Sequence, residues 1–163
     1  IYMEAVRMAG SAAEDAVNLI NSIAVINNIE ITDAASDGMD LDFSDLLITD
    51  SKFSGIGGDG LDISNSLVVC ERTGFSEAKD KGVSVGEMSR AVLRNVSFLR
   101  NKTGIANKDQ SVLSVKGADF TDNGSAIEEF IKKPYYGSPS SSVEDARYTN
   151  NGSDYKWLGL NMY

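Results

Sequence analysis

The sequence predicts an all-β solenoid, a parallel β-helix of about seven coils with roughly 22 residues and three short strands in each coil. Three rows of residues carry this prediction, and they recur every 22 or 23 positions except for a last step of 28 positions to Tyr148. Such a period is typical of a solenoid, because one repeat cannot bury its apolar face alone and must pack on the next. The rows are glycines (Gly38, Gly60, Gly82, Gly104, then Ala126), large apolar residues (Ile31, Phe53, Phe75, Phe98, Phe120, Tyr148) and serines (Ser22, Ser44, Ser66, Ser89, Ser111).

The first predicted strand of each coil follows the glycine. In residues 38–42 apolar Met39 and Leu41 alternate with Asp40 and Asp42, and the same alternation recurs at residues 60–64. Alternation with a period of two is typical of a half-buried strand. We therefore expect Met39 and Leu41 to point inward and the aspartates to point outward.

Two further strands complete each predicted coil. The second is apolar at its first and third positions, as in residues 24–26 and 46–48, and the third carries the aromatic row. The serines lie between strands, where a hydroxyl can bond the backbone of a turn. No repeat shows the 3.6-residue apolar spacing that a helical repeat requires.

Composition excludes some functions. The 163 residues include 15 basic and 24 acidic side chains, a net charge of −9 that disfavours nucleic-acid binding. No apolar run is long enough to span a membrane. The single cysteine, Cys70, cannot form an internal disulfide, and its alignment with Ile26 and Ile48 predicts a buried thiol.

The pattern predicts one domain over residues 1–163. Residues 1–15 form an N-terminal cap or partial coil, since Glu4 would fall where Ile26 points inward. Regular coils occupy 16–130, and a loop insertion at 131–142 contains both prolines. Residues 143–163 form the last coil and a C-terminal cap. Most of the tyrosines and the one tryptophan lie near this end and are expected to cover it: Tyr135, Tyr136, Tyr148, Tyr155, Trp157 and Tyr163.

Two segments, NVSFLRNKTGIA at 95–106 and KGADFTDNG at 116–124, resemble the right-handed parallel β-helix repeats of the pectin-lyase-like superfamily. The resemblance covers residues 16–130 and implies a right-handed helix. The segments at 36–44 and 57–64 are similar to β-helix segments of large bacterial surface or secreted proteins. This likeness implies an extracellular or cell-surface location.

An outward row of acids is the candidate site. Asp40 and Asp62 occupy equivalent positions on neighbouring strands, which lie about 4.8 Å apart in a sheet. Asp42 lies beside them, and Asp37 and Asp59 precede the strands. This face is solvated acid surface, a Ca²⁺ or carbohydrate site, or a catalytic site. Asp40, Asp42 and Asp62 are the candidate ligands, since Ca²⁺ prefers oxygen.

The candidate catalytic groups are Asp40, Asp42, Asp62 and Lys81. Two carboxylates about 5 to 9 Å apart suit glycoside hydrolysis. The chain has no histidine. It therefore lacks the Gly-His-Gly element of polygalacturonase-like hydrolases and the histidine motif of alginate epimerases, whose activities do not carry over.

Other residues are candidates for binding. Asp37, Asp59 and Trp157 are candidate ligand contacts. An outward aliphatic stripe packs within its own sheet or against another domain or subunit: Val25, Leu47, Val69 and Val92. These features favour a non-catalytic scaffold or recognition domain of a larger extracellular bacterial protein, with polysaccharide as a possible partner. The alternative is a polysaccharide lyase or glycoside hydrolase that uses the acidic face.

Overall fold

The computed structural model describes residues 1–160. Within them every strand pairing is parallel, and the strands form two sheets. Sheet A contains β1 (Tyr2–Ala9), β3 (Ile23–Thr32), β5 (Asp45–Thr49), β6 (Lys52–Ser54), β8 (Leu67–Glu71), β9 (Gly74–Ser76), β11 (Arg90–Leu99), β13 (Val112–Thr121) and β15 (Ser140–Thr149). Sheet B contains β2 (Asp15–Ile20), β4 (Asp37–Asp42), β7 (Leu61–Ser64), β10 (Lys81–Gly86), β12 (Thr103–Lys108), β14 (Ser125–Ile131) and β16 (Tyr155–Leu160).

The predicted solenoid is confirmed. Sheet B contains seven strands, one from each coil, which agrees with the prediction of about seven complete or partial coils. The second and third predicted strands lie together in sheet A. They are separate in β5/β6 and β8/β9 and continuous in the other coils. A residue with left-handed backbone bends sheet A at the same place in every coil: Ala5, Asn28, Asp50, Arg72, Asn95, Gly117 and Asp145.

The predicted inward rows form one continuous core. Met39 and Leu41 are fully buried, and Cys70 lies in the core beside Ile48. Burial raises the pKa of the Cys70 thiol to about 12. The aromatic row is a ring stack in which neighbouring centroids lie 4.9 to 5.4 Å apart: Phe53, Phe75, Phe98, Phe120 and Tyr148.

The periodic glycines are explained by this stack. None of the four has a positive φ, so backbone conformation does not require glycine there. A Cβ at Gly82 would lie 2.7 Å from the Gly104 carbonyl oxygen and 2.7 Å from Phe98 Cδ1. Gly38 and Gly60 meet equivalent neighbours. Glycine recurs because the next coil and the aromatic ring leave no room for a side chain.

The serine row confirms the predicted corner. The hydroxyl oxygen of Ser66 accepts a hydrogen bond from the Ser44 amide at 2.9 Å, and that of Ser89 accepts one from the Ser66 amide at 3.1 Å. A second ladder, not predicted, stabilises the opposite corner. There the Asn123 side chain accepts from the Asn101 amide at 3.0 Å, and Asn151 accepts from Asn123 at the same distance.

The N-terminal residues continue sheet A. β1 pairs with β3 at an offset of 23 residues, so Met3 lies beside Ile26 and Glu4 beside Asn27. The expectation that Glu4 falls in the inward row was therefore wrong by one position. A one-residue change in register moves every side chain to the opposite face.

Residues 132–139 connect β14 to β15 and fold back over two coils. The Asp109 carboxylate accepts hydrogen bonds from the backbone amides of Lys132 and Lys133 at 2.7 and 2.8 Å, and the Lys133 side chain pairs with Glu87. These contacts fix the loop along one edge of sheet B. At the C-terminal end, Tyr155 lies beside Ile127 in register. Tyr163 of the predicted cap lies outside the described residues.

Candidate functional site

The outer face of sheet B aligns the predicted acidic row in register. Asp40 pairs with Asp62, and Asp62 pairs with Ser84 on the next strand. Asp42 lies beside Ser64, and both Asp40 and Asp42 are half-buried. The structure therefore brings the predicted aspartates together on one surface.

Asp40 has the most perturbed carboxyl group on this face. Burial, the largest cause, and the negative charges of Asp62 and Asp42 together raise its pKa to about 7. The Asn18 amide nitrogen, 3.4 Å from Asp40 Oδ2, is a weak neutral donor. Near neutral pH the Asp40 carboxyl is therefore divided between its acid and its carboxylate forms.

Asp37, Asp59 and Lys81 form a ladder where the chain enters sheet B. The Asp37 carboxylate accepts a hydrogen bond from the Asp59 amide at 2.7 Å, and the Asp59 carboxylate accepts one from the Lys81 amide at 2.9 Å. Burial raises the pKa of Asp59 to about 6, although Lys81 opposes this shift. Burial lowers the pKa of Lys81, but Asp59 and Asp80 outweigh it and leave that pKa raised. These contacts hold adjacent coils together.

A buried lysine crosses the middle of the face. Lys108 is 7% exposed, and its side chain passes over Gly86, where a Cβ would lie 3.0 Å from Lys108 Cε. Its Nζ lies 3.9 Å from Asp62 Oδ1, two coils away. Gly86 therefore provides the space through which Lys108 places a positive charge near the acidic row.

The acidic face was also the predicted calcium site. Among residues 1–160, no three histidine, cysteine, aspartate or glutamate side chains are grouped so that they could hold a metal ion. The cations that the structure places near these acids are the ammonium groups of Lys81 and Lys108.

A groove of about 710 Å³ lies on sheet B next to the acidic row. Phe130 and Leu158 supply apolar surface, while Asp80 and Glu128 supply negative charge. Five lysines line the groove: Lys81, Lys102, Lys108, Lys132 and Lys156. The sequence pattern did not predict this groove, because its lysines are far apart along the chain and only the stacking of coils brings them together.

The aliphatic stripe lies on the outer face of sheet A, as predicted. Val25, Leu47, Val69 and Val92 are neighbours in register. Val25 and Leu47 are each 39% exposed, and Tyr2 extends the stripe beyond Val25. Neighbouring side chains of the same sheet therefore cover only part of the aliphatic stripe, and the rest of it is exposed.

Trp157 lies away from the groove. It pairs in register with Glu129, an inward residue of β14, and is 49% exposed. The other inward aromatic of β16, Tyr155, donates a hydrogen bond to Glu129 at 2.6 Å. A ligand contact through Trp157 remains a prediction.

These features define a β-solenoid domain with a charged groove on one sheet. Residues 15–156 match the family model described as a right-handed beta helix region. The match covers most of the chain, which therefore belongs to the right-handed β-helix family. No curated protein matches the chain. Within residues 1–160 there is no helix with the length and apolarity needed to cross a membrane.

Proposed function

We propose that this chain is a non-catalytic recognition or scaffold domain of a larger extracellular protein, and that its sheet B groove binds an acidic carbohydrate chain. The observation that carries the proposal is the charge of the groove. Five lysines line the groove against Asp80 and Glu128, and Asp59 and Asp62 lie beside Lys81 and Lys108, which leaves one positive charge in excess on a chain whose net charge is −9. A positive groove on a negative protein attracts and orients a negative ligand.

The groove lysines have partners that a ligand can displace. Lys102 pairs with Asp80 at 3.1 Å, and Lys156 lies 3.8 Å from Glu128. Exposed pairs of this kind contribute about 0 to 1 kcal/mol each, so a polymer with several carboxylates can compete for the ammonium groups. Leu158, which is 41% exposed, offers apolar surface against which the face of a sugar can pack, whereas Phe130 is buried beneath the groove.

The test compares charged and neutral polymers. The full chain is titrated with polygalacturonate and with a neutral glucan of similar length, at low and high salt. We expect only polygalacturonate to bind, and more weakly at high salt. Lys132→Gln in the groove should weaken binding, while Lys116→Gln, the same charge change on sheet A, should not. Equal binding of both polymers, or equal effects of both variants, would contradict the proposal.

A second candidate function is polysaccharide cleavage on the acidic face. It is favoured by the Asp40 pKa of about 7 beside Asp62 on the neighbouring strand, because an acid near neutrality next to a second carboxylate suits glycoside hydrolysis. Ultraviolet absorbance of unsaturated product reports a lyase, and new reducing ends report a hydrolase. Activity lost in Asp40→Asn would support this function, and no product from a broad polysaccharide panel would exclude it.

Calcium binding by Asp40, Asp42 and Asp62 stays a prediction. If these residues bind Ca²⁺, the ion should raise the melting temperature, and replacing Asp40 and Asp62 together by Asn should remove that increase. If the cluster is only repulsive, the same double variant should be slightly more stable than the wild type without calcium.

A further inference from the structure

A polar cluster interrupts the apolar interior near the C-terminal end. The inward row of sheet B is aliphatic through four strands and then becomes polar at Asn107 and Glu129, which are in register with Val85. Asn107 is fully buried and Glu129 is 7% exposed. The aliphatic members of the row are Leu19, Leu41, Ile63 and Val85.

Glu129 brings a carboxyl group into this interior. Its Oε1 accepts hydrogen bonds from the Asn107 amide at 3.2 Å and from the Ser141 hydroxyl, and its Oε2 accepts one from the Tyr155 hydroxyl. All three donors are neutral. Among residues 1–160 no lysine or arginine pairs with Glu129, and Lys156 lies near Glu128 on the outer face instead. A buried carboxylate without a cation is costly.

The Asn107 amide is mismatched with its surroundings. Its Nδ2 lies 3.2 Å from Glu129 Oε1, 3.0 Å from the Ser140 carbonyl oxygen and 2.9 Å from Ser141 Oγ. An amide nitrogen has two protons for these three oxygens. Its Oδ1 is buried and has no hydrogen-bond partner within the described residues. The cluster therefore has oxygen acceptors in excess and too few donors.

We propose that this cluster is a site for a hard cation, Ca²⁺ in preference to Mg²⁺. The ligands are the Glu129 carboxylate, Asn107 Oδ1, the Ser140 carbonyl oxygen and the Ser141 hydroxyl. Turning the Asn107 amide by half a turn puts Oδ1 in the position of Nδ2, next to the other three oxygens. Ca²⁺ accepts such an irregular mixture of neutral and charged oxygens and completes its shell with water, whereas Mg²⁺ demands a near-octahedral arrangement.

This site is distinct from the acidic face. Glu129 points into the helix, whereas its neighbour Glu128 belongs to the outward row with Ala106. Ser141 and Tyr155 are exposed, which gives an ion access from the C-terminal end of the coil. The inference does not depend on the proposed carbohydrate binding, because no groove lysine takes part.

Terbium luminescence tests the proposal, because Tb³⁺ replaces Ca²⁺ at oxygen sites and its emission is strongly enhanced by energy transfer from a nearby aromatic ring. The Tyr155 hydroxyl lies 2.6 Å from Glu129 Oε2. We expect the full chain to give saturable Tb³⁺ luminescence that Ca²⁺ removes and Mg²⁺ does not. Glu129→Gln should abolish the signal. Glu128→Gln, the same charge change on the same strand but the outer face, should retain it.

A second measurement does not depend on the variants. Ca²⁺, compared with a chelator, should raise the melting temperature of the wild-type chain, and Mg²⁺ at the same concentration should raise it less. Luminescence that persists in Glu129→Gln would overturn the proposal. Luminescence lost in Asp40→Asn but kept in Glu129→Gln would also overturn it, by placing the ion on sheet B. The absence of both luminescence and a calcium-dependent melting shift would overturn it as well.

Discussion

Replacing Gly82 by alanine tests the reason for the 22-residue glycine period. Where backbone conformation alone matters, alanine at a position without positive φ stabilises a protein by about 0.4 to 1 kcal/mol. At Gly82 the added Cβ would lie 2.7 Å from a carbonyl oxygen of the next coil and 2.7 Å from the Phe98 ring. Ordinary contacts begin at 3.4 Å, so the neighbours must move by 0.7 Å (3.4 − 2.7).

Neither neighbour can move easily. The carbonyl belongs to Gly104 in the adjacent strand, and Phe98 is stacked between Phe75 and Phe120 at 5.4 and 4.9 Å. Overpacking of a rigid core costs about 1 to 3 kcal/mol, and we expect the upper part of that range, about 2 to 3 kcal/mol. At about 2 to 4 °C for each kcal/mol, the melting temperature should fall by about 4 to 12 °C.

Urea unfolding followed by circular dichroism measures the effect, and Gly74→Ala is the matched control. A Cβ at Gly74 would meet only the Ser97 hydroxyl at 3.2 Å, and that side chain can turn away, so the change should stay within about 0.5 kcal/mol. Phe98→Leu combined with Gly82→Ala should cost less than the sum of the two single changes. A Gly82→Ala chain as stable as the wild type, or strictly additive effects, would refute the steric explanation.

Three further predictions concern the core, a corner and the acidic face. Phe98→Ala should lower the free energy of unfolding by about 3 to 5 kcal/mol. Tyr148 lies at the exposed end of the stack, so Tyr148→Ala should lower it by less than half as much, and equal losses would contradict a continuous stack. Ser66→Ala leaves the buried Ser44 amide unpaired and should lower the free energy of unfolding by about 1 to 3 kcal/mol. Ser22→Ala should lower it by less than about 0.5 kcal/mol, and similar losses for the two variants would contradict the corner ladder. The folded-state pKa of Asp40 is raised to about 7 from 3.8, so the free energy of unfolding of the wild type should fall as pH rises between these values. Urea titrations at several pH values measure this slope, and Asp40→Asn should reduce it. An unchanged slope would contradict the raised pKa.

The repeat rows predicted most of the fold because a solenoid converts distance along the chain into position. Residues 22 apart become neighbours in register, so Asp40 and Asp62, or Phe98 and Phe120, could be paired from spacing alone. The same reasoning failed at Glu4, where the spacing is 23. One added residue is enough to exchange the inner and outer faces of a strand.

The candidate sites were only partly predictable. The acidic row follows the period, and the structure confirms its alignment on one face. The groove depends on Lys132 and Lys156, which lie beyond the regular coils, and on Phe130 next to the loop that folds back over Asp109. No spacing rule places these side chains together.

The sequence by itself determined the parallel coils, the inward and outward faces and the position of the acidic row, because each follows from local alternation combined with a constant period. The tertiary structure decided the rest. It showed that glycine recurs because a ring and a carbonyl occupy the space of a side chain. It also showed that burial and neighbouring carboxylates give Asp40 a pKa of about 7, and that Asn107 and Glu129 share a polar interior. Close approach, burial and unmatched hydrogen bonds are properties of atoms brought together from different coils, and only the folded chain defines them.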